Sequence, residues 1–154
     1  MRIIILSVGR VGKSPLADDV AHYEKMLSRH ARVETIELRE AGGDPMRRAE
    51  SLRREAKAIL GRIPGDAFVC VLDREGEQLS SEDLALWLGE RRHQATDVWF
   101  VIGGPFGLDG EVFVRANRRL SFGRITLPHQ LARVVLLEQL FRAQKILAGE
   151  PYHY

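Results

Sequence analysis

One cysteine, Cys70, in 154 residues leaves no disulfide framework and no thiolate zinc site to build. Its setting, Phe68-Val69-Cys70-Val71-Leu72, reads as a buried apolar strand, so the thiol is expected to be inert packing. Nowhere do eighteen uncharged apolar residues follow one another, which excludes a membrane-spanning helix and makes a cytoplasmic location the expectation. The opening run Met1 to Leu6 is too short for an export signal and Ser7-Val8-Gly9-Arg10 lacks a small-residue cleavage pattern, so it reads as a first strand. Signature motifs are also missing. There is no G-x-G-x-x-G after a strand, no H-E-x-x-H and no G-x-S-x-G, which removes support for hydride transfer, zinc hydrolysis and serine-hydrolase chemistry. Gly12-Lys13-Ser14 invites a phosphate-loop reading, but the first glycine of that motif would fall on Ser7, and Pro15 follows directly.

What is present fits one compact domain over residues 1–154: 45% of residues are hydrophobic and 29% charged. No internal repeat or low-complexity segment interrupts it. The net charge of +2 decides nothing, but from Asp109 to Glu150 seven cations (Arg115, Arg118, Arg119, Arg124, Arg133, Arg142, Lys145) face four carboxylates. Such a local excess suits phosphate binding as well as a solvated helical surface.

Strand and helix patterns alternate. Arg2 to Val8 is β-rich. Ser14-Pro15 then offers a cap and first-turn proline to an amphipathic helix with Leu16, Val20, Tyr23 and Leu27 inward. Val33 to Leu38 reads as a second strand, and Asp44-Pro45 caps a helix whose inward stripe is Met46, Ala49, Leu52, Ala56, Ile59 and Ile63. Ala67 to Leu72 and Val98 to Ile102 are continuously apolar, as parallel strands covered on both faces are. Ser80 or Ser81 caps the helix between them. A short helix near Glu111 to Asn117, a strand-like segment near Arg124 to Leu127, a long helix from His129 to Leu147 and a polar tail follow. This order predicts an α/β fold with a mainly parallel sheet flanked by helices and ligands at the carboxyl ends of the strands.

Unusual residues collect after the fourth strand: Ile102-Gly103-Gly104-Pro105-Phe106-Gly107-Leu108, Phe122-Gly123-Arg124-Ile125-Thr126-Leu127-Pro128-His129, Arg133, and Pro151-Tyr152-His153. Glycines at the carboxyl end of a strand let a ligand approach the backbone, because no Cβ intervenes. With Val8-Gly9 and Val71-Leu72-Asp73, this array resembles the SPOUT superfamily of knotted methyltransferases, most closely its small RlmH-type members, which methylate N3 of a pseudouridine in 23S ribosomal RNA. The resemblance covers nearly the whole chain.

The resemblance implies a SPOUT-type fold with a C-terminal trefoil knot, and S-adenosyl-L-methionine as methyl donor, bound by Leu72, Gly103, Gly104 and the segment Phe122, Gly123, Arg124, Ile125, Thr126 and Leu127. It implies no metal. Its partners would be a second copy of the chain, forming a homodimer in which each tail completes the other's site, and 23S ribosomal RNA within the assembled ribosome. The wide apolar face of the last helix suits such a dimer. The donor needs an apolar slot with backbone hydrogen bonds and no phosphate cradle. Pseudouridine N3 is a poor nucleophile until its proton leaves. His153 and His129, with unperturbed pKa near 6.5, are candidate helpers, Arg133 a candidate for stabilising the base anion, and Tyr152 accompanies His153 in the family ending. His129 also reads as a helix cap, and Arg133 as a phosphate clamp. One departure is Tyr154, where the family places a basic residue. Two other readings compete: a flavodoxin-like nucleotide-binding module, and a non-catalytic ribosome-associated protein that keeps the donor pocket.

Overall fold

The computed structural model describes residues 1–12 and 14–152. Five strands, β1 (Arg2–Val8), β2 (Arg32–Leu38), β3 (Phe68–Gln78), β4 (Val98–Ile102) and β5 (Arg118–Ser121), form one sheet in the order β2-β1-β4-β3-β5. Every pairing is parallel. Parallel neighbours require a crossover, and helices supply or accompany them: α1 (Ala17–Leu27), α2 (Arg48–Leu60), α3 (Ser81–His93), α4 (Gly110–Arg115) and α5 (His129–Leu147).

The apolar strands are explained by burial on both faces. In β1, Ile3 and Ile5 enter one core layer while Ile4, Leu6 and Val8 enter the other. In β4, Val98, Phe100 and Ile102 alternate with Trp99 and Val101 in the same way. The first layer is covered by α1, α3 and α5, with Leu136, Leu137 and Leu140 of α5 fully buried. The second is closed by Ala56 and Ile59 of α2 and Val112 of α4. Buried among these, the Cys70 thiol has its pKa pushed up to about 12, so it is inert as expected.

Local signals hold at several boundaries. Asp44 accepts from the Met46 N–H at 3.0 Å and Ser80 from the Asp83 N–H at 3.0 Å, the two caps read from sequence. Long helix α5 spans the expected His129–Leu147. The first helix begins later than expected, at Ala17, after a separate turn in which the Ser14 hydroxyl accepts from the Leu16 N–H at 3.2 Å and donates to Gln130 Oε1 at 2.7 Å.

Three expectations are corrected. The inward stripe of α2 is Ser51, Glu55, Ala56 and Ile59, whereas Met46 is 92% exposed. Pro45–Arg47 forms a separate 3-10 turn ahead of α2, which takes Met46 out of the stripe, while Ala56 and Ile59 face inward as expected. The strand near Arg124 to Leu127 is absent; β5 lies at Arg118–Ser121, its arginines paired outward with Glu77 at 2.7 Å and with Asp73 while Leu120 is buried. Finally, β3 runs past Leu72 to Gln78 through a bulge between Leu72 and Glu77, because the added residues pair with β5. Gly76 permits that pairing: a Cβ there would lie 2.7 Å from the Arg119 carbonyl carbon and 2.9 Å from that of Leu120.

Gly76→Ala is therefore expected to cost about 1–3 kcal/mol in denaturant unfolding by prising β3 from β5. Gly65→Ala, where an added Cβ would meet nothing within 4 Å, should be close to neutral.

Candidate functional site

Parallel pairing lines up the strand ends at one edge of the sheet, where the expected donor residues meet. Val71 pairs with Val101 and Leu72 with Leu120, so Leu72 lies between the segment leaving β4 at Gly103 and the segment leaving β5 at Phe122. Ligands of open parallel sheets bind at such an edge.

The glycines after β4 are needed for shape. A Cβ on Gly103 would lie 2.6 Å from the Gly107 carbonyl carbon, because the loop folds back on itself. Gly107 closes that turn by donating to the Gly104 carbonyl at 2.9 Å and has φ +82°, which side-chain-bearing residues avoid. After β5, the buried Ser121 plays the matching part. Its hydroxyl lies 3.0 Å from the Arg74 carbonyl and 2.9 Å from that of Gly123, and accepts from the Gly123 N–H at 3.0 Å. The open space beside Gly107 and Gly123 leaves both turns with bare backbone toward solvent. Ile125, 67% exposed, adds an unburied apolar side chain beside exposed Arg124 and Thr126.

From Ser121, at the edge strand β5, the chain has only Phe122 to Pro128 in which to reach α5, whose first residue lies against the end of β1. Gly9 makes this possible. Its φ is +95°, and a Cβ there would overlap His129 Nε2 and lie 2.7 Å from Glu40 Oε1. His129 makes no capping hydrogen bond to α5; Nε2 is buried without a hydrogen-bond partner among the described residues and lies 3.4 Å from Glu40 Oε1. The cap reading is set aside in favour of a histidine aimed at the strand ends.

One turn further on, Arg133 is 4% exposed and committed to two carboxylates: Glu37 of β2 at 2.6 Å and Glu24 of α1 at 3.1 Å. Glu37 also accepts from the Val11 N–H at 3.1 Å, and Glu24 from the Thr35 hydroxyl at 2.6 Å. Burial acts to raise the Glu37 pKa, but the Arg133 hydrogen bond, the Val11 N–H and the charges of Arg133 and Arg10 outweigh it and lower the pKa. Within the chain, Arg133 is a strut joining α5 to β2 and α1.

Tyr152 is elsewhere in the chain. It packs edge-on against Phe141 with centroids 5.2 Å apart, its hydroxyl donates to Glu138 at 3.3 Å, and the Arg142 guanidinium lies 4.4 Å over its ring. Burial, then the Glu138 charge, raises its phenol pKa. Glu138 and Phe141 are nine and twelve residues along α5 from His129, so Tyr152 is over 10 Å of helix from the strand-end cluster by the rise of about 1.5 Å per residue. His153 lies outside the described residues.

Glu55 was not anticipated, since it sits in an arginine-rich, apparently solvated helix. It is 4% exposed, accepts from the Ala41 N–H at 3.0 Å, and its carboxylate lies 3.2 Å from where a Gly104 Cβ would be. Burial, with the nearby Glu40 charge, raises its pKa despite the Ala41 hydrogen bond and His129. Among the described residues, no group of acidic, histidine or cysteine side chains is placed to hold a metal ion, and no helix is long and apolar enough to cross a membrane.

This chain belongs to the SPOUT methyltransferase family: the model described as "Predicted SPOUT methyltransferase" matches residues 1–153. It is 49% identical to the ribosomal RNA large subunit methyltransferase H of Rubrobacter xylanophilus, covering 99% of this chain and 98% of that protein. It is 45% identical to the protein of the same name from Bacillus cereus, with 99% of each covered. Among solved structures, a probable methylase family protein from Haemophilus influenzae superposes with TM-score 0.57 at 12% identity, over 99% of this chain and 70% of that one. A putative methylase family protein from Neisseria gonorrhoeae gives 0.53 at 15%, over 98% and 94%. These two likenesses concern the fold.

The two carboxylates predict opposite pH effects. Glu37, with its pKa lowered, stabilises the fold above the unfolded carboxylate range and loses that contribution as pH falls through its folded pKa; Glu37→Gln should lower Tm at pH 7. Glu55, with its pKa raised, weakens the fold as pH rises from the unfolded towards the folded pKa; Glu55→Gln should raise Tm at pH 7. Both differences should shrink in thermal melts below about pH 4, where an ordinary glutamate protonates.

Proposed function

We propose that this protein transfers a methyl group from S-adenosyl-L-methionine to N3 of a pseudouridine in 23S ribosomal RNA, on assembled ribosomes in the cytoplasm. The chain acts as one methyltransferase domain over residues 1–154 and as a homodimer, with the trefoil knot that its resemblance implies. The single observation that carries the reading is near-full-length similarity to large-subunit ribosomal RNA methyltransferases, of which the Rubrobacter protein is 49% identical.

The strand-end residues fit the donor. It carries no phosphate, and the Gly103–Gly107 and Ser121–Gly123 turns offer open backbone for hydrogen bonds, with Leu72 between them and Ile125 as apolar cover. When bound there, the sulfonium supplies an already activated methyl carbon. The protein's own part is alignment, exclusion of water and help in removing the N3 proton.

His129 and His153 are the candidate bases. His129 has a buried ring nitrogen without a hydrogen-bond partner among the described residues, 3.4 Å from Glu40. His153, with Tyr152, belongs to the tail, which in a dimer would complete the partner's site; the half-buried Leu131, Val134 and Val135 of α5 supply an apolar surface for that association. Arg133, held between two carboxylates, serves the reaction by fixing the start of α5.

Labelled donor, incubated with large ribosomal subunits from a strain lacking the endogenous activity, should label one pseudouridine. Gly103→Ala should abolish donor binding in calorimetry. His153→Ala should retain donor binding and lose at least 100-fold in kcat if it is the base. Donor binding by the wild type with no label in any RNA would overturn the reading.

A further inference from the structure

The cations that made the C-terminal third look suited to phosphate are largely neutralised within the fold. Arg118, Arg119, Arg133, Arg142 and Lys145 are each paired with a carboxylate, and Arg115 donates to the carbonyls of Pro64, Gly65 and Ala67. A guanidinium already hydrogen-bonded to a carboxylate has little to offer a phosphate without losing that partner.

Arg10, Arg39 and Arg54, exposed and free of such close pairing among the described residues, stand at the other flank of the same strand-end edge. Two adjoining cavities open there. One, about 400 Å³, is lined by Arg39, Glu40, Ala41, Arg54 and Glu55; the other, about 370 Å³, by Gly9, Arg10, Arg39 and Glu40. Arg10 and Arg39 have no ion pair among the described residues, and Arg54 has only a 3.9 Å contact with Glu50 across an exposed helix face. Arg48 lies 5.9 Å over the Phe106 ring, tying this flank to the glycine turn after β4.

We propose that these joined cavities hold a nucleotide of the substrate RNA adjacent to the target base, with Arg10, Arg39 and Arg54 on its backbone phosphates. This rests on the reading above that the substrate is large-subunit ribosomal RNA. The charge arrangement sets the orientation. Arg10, Arg39 and Arg54 are exposed at the mouth, while the buried Glu55 forms the floor and the partly exposed Glu40 lies 3.4 Å from His129. Phosphates are repelled from the floor and held at the mouth, and a base entering first meets carboxylate oxygens that accept from its amino or imino N–H groups. The floor is also the wall behind Gly104, so a nucleotide seated here lies beside the donor turn.

The test is co-sedimentation of the dimer with purified large ribosomal subunits across a salt series, with methyl transfer followed in parallel. The Arg39→Gln/Arg54→Gln double variant should bind the subunits roughly tenfold more weakly, with a salt slope shallower by about one per arginine removed, and should keep donor affinity and Tm unchanged. Arg53→Gln, exposed on the same helix but outside both cavities, should behave as wild type. Equal affinity and slope for the double variant, or equal weakening by Arg53→Gln, would overturn the proposal. So would failure of the wild type to bind subunits. Wild-type binding that depends on Arg39 and Arg54 but yields no methyl transfer would overturn the proposed reaction and leave the RNA groove standing.

Discussion

The buried guanidinium of Arg133 is the constraint on which the site depends. Removing such a charge from water costs several kcal/mol, and only well-placed opposite charges with their own hydrogen bonds offset it. Glu37 comes from β2, Glu24 from α1, and the Val11 N–H from the loop after β1, so one side chain of α5 joins three otherwise separate pieces of chain. His129 is one helical turn earlier, on the same face as Arg133, so the position of the guanidinium determines that of the imidazole. Gly9 then lets the imidazole come close, which no residue with a Cβ would allow.

The segment between β5 and α5 is consequently held at both ends. Ser121 ties its beginning to the extended part of β3, and His129 with Arg133 ties its end beside β1 and β2. Between these anchors Arg124, Ile125 and Thr126 are exposed. An otherwise open stretch fixed at its ends suits closure over a ligand with little ordering cost, since the anchors and turns are already formed.

Charge is divided between the two flanks of this edge. On the β3–β5 side, three arginines serve the fold while Arg124 stays exposed: Arg118 and Arg119 fasten the edge strand, and Arg115 gathers three carbonyls of the loop before β3. On the β1–β2 side, Arg10 and Arg39 remain available. A count along the chain cannot separate these roles, because the carboxylates that neutralise Arg118 and Arg119 lie more than forty residues away in sequence.

Much of the architecture was legible from local pattern. Continuous apolar runs marked β1 and β4, Asp44 and Ser80 marked helix starts, and the glycines after Ile102 marked the turn at the carboxyl edge, because these signals act through neighbouring residues and backbone sterics. The extension of β3 and the position of β5 were not legible. Arg118-Arg119 becomes a strand only by pairing with Cys70 and Val71, and the polar extension of β3 only by pairing Glu77 and Gln78 with Leu120 and Ser121, with Gly76 removing the steric bar. The same distinction governs the site. Residue order alone marked Gly103, Gly104, His129 and Arg133 as unusual and tied them to a methyltransferase family. Tertiary structure alone decided that Arg133 is a strut, that Glu40 and Glu55 stand beside His129 and Gly104, and that Arg10 and Arg39 line one cavity without an ion pair among the described residues. Burial and ion pairing depend on which distant segments meet, and no window of sequence contains both partners.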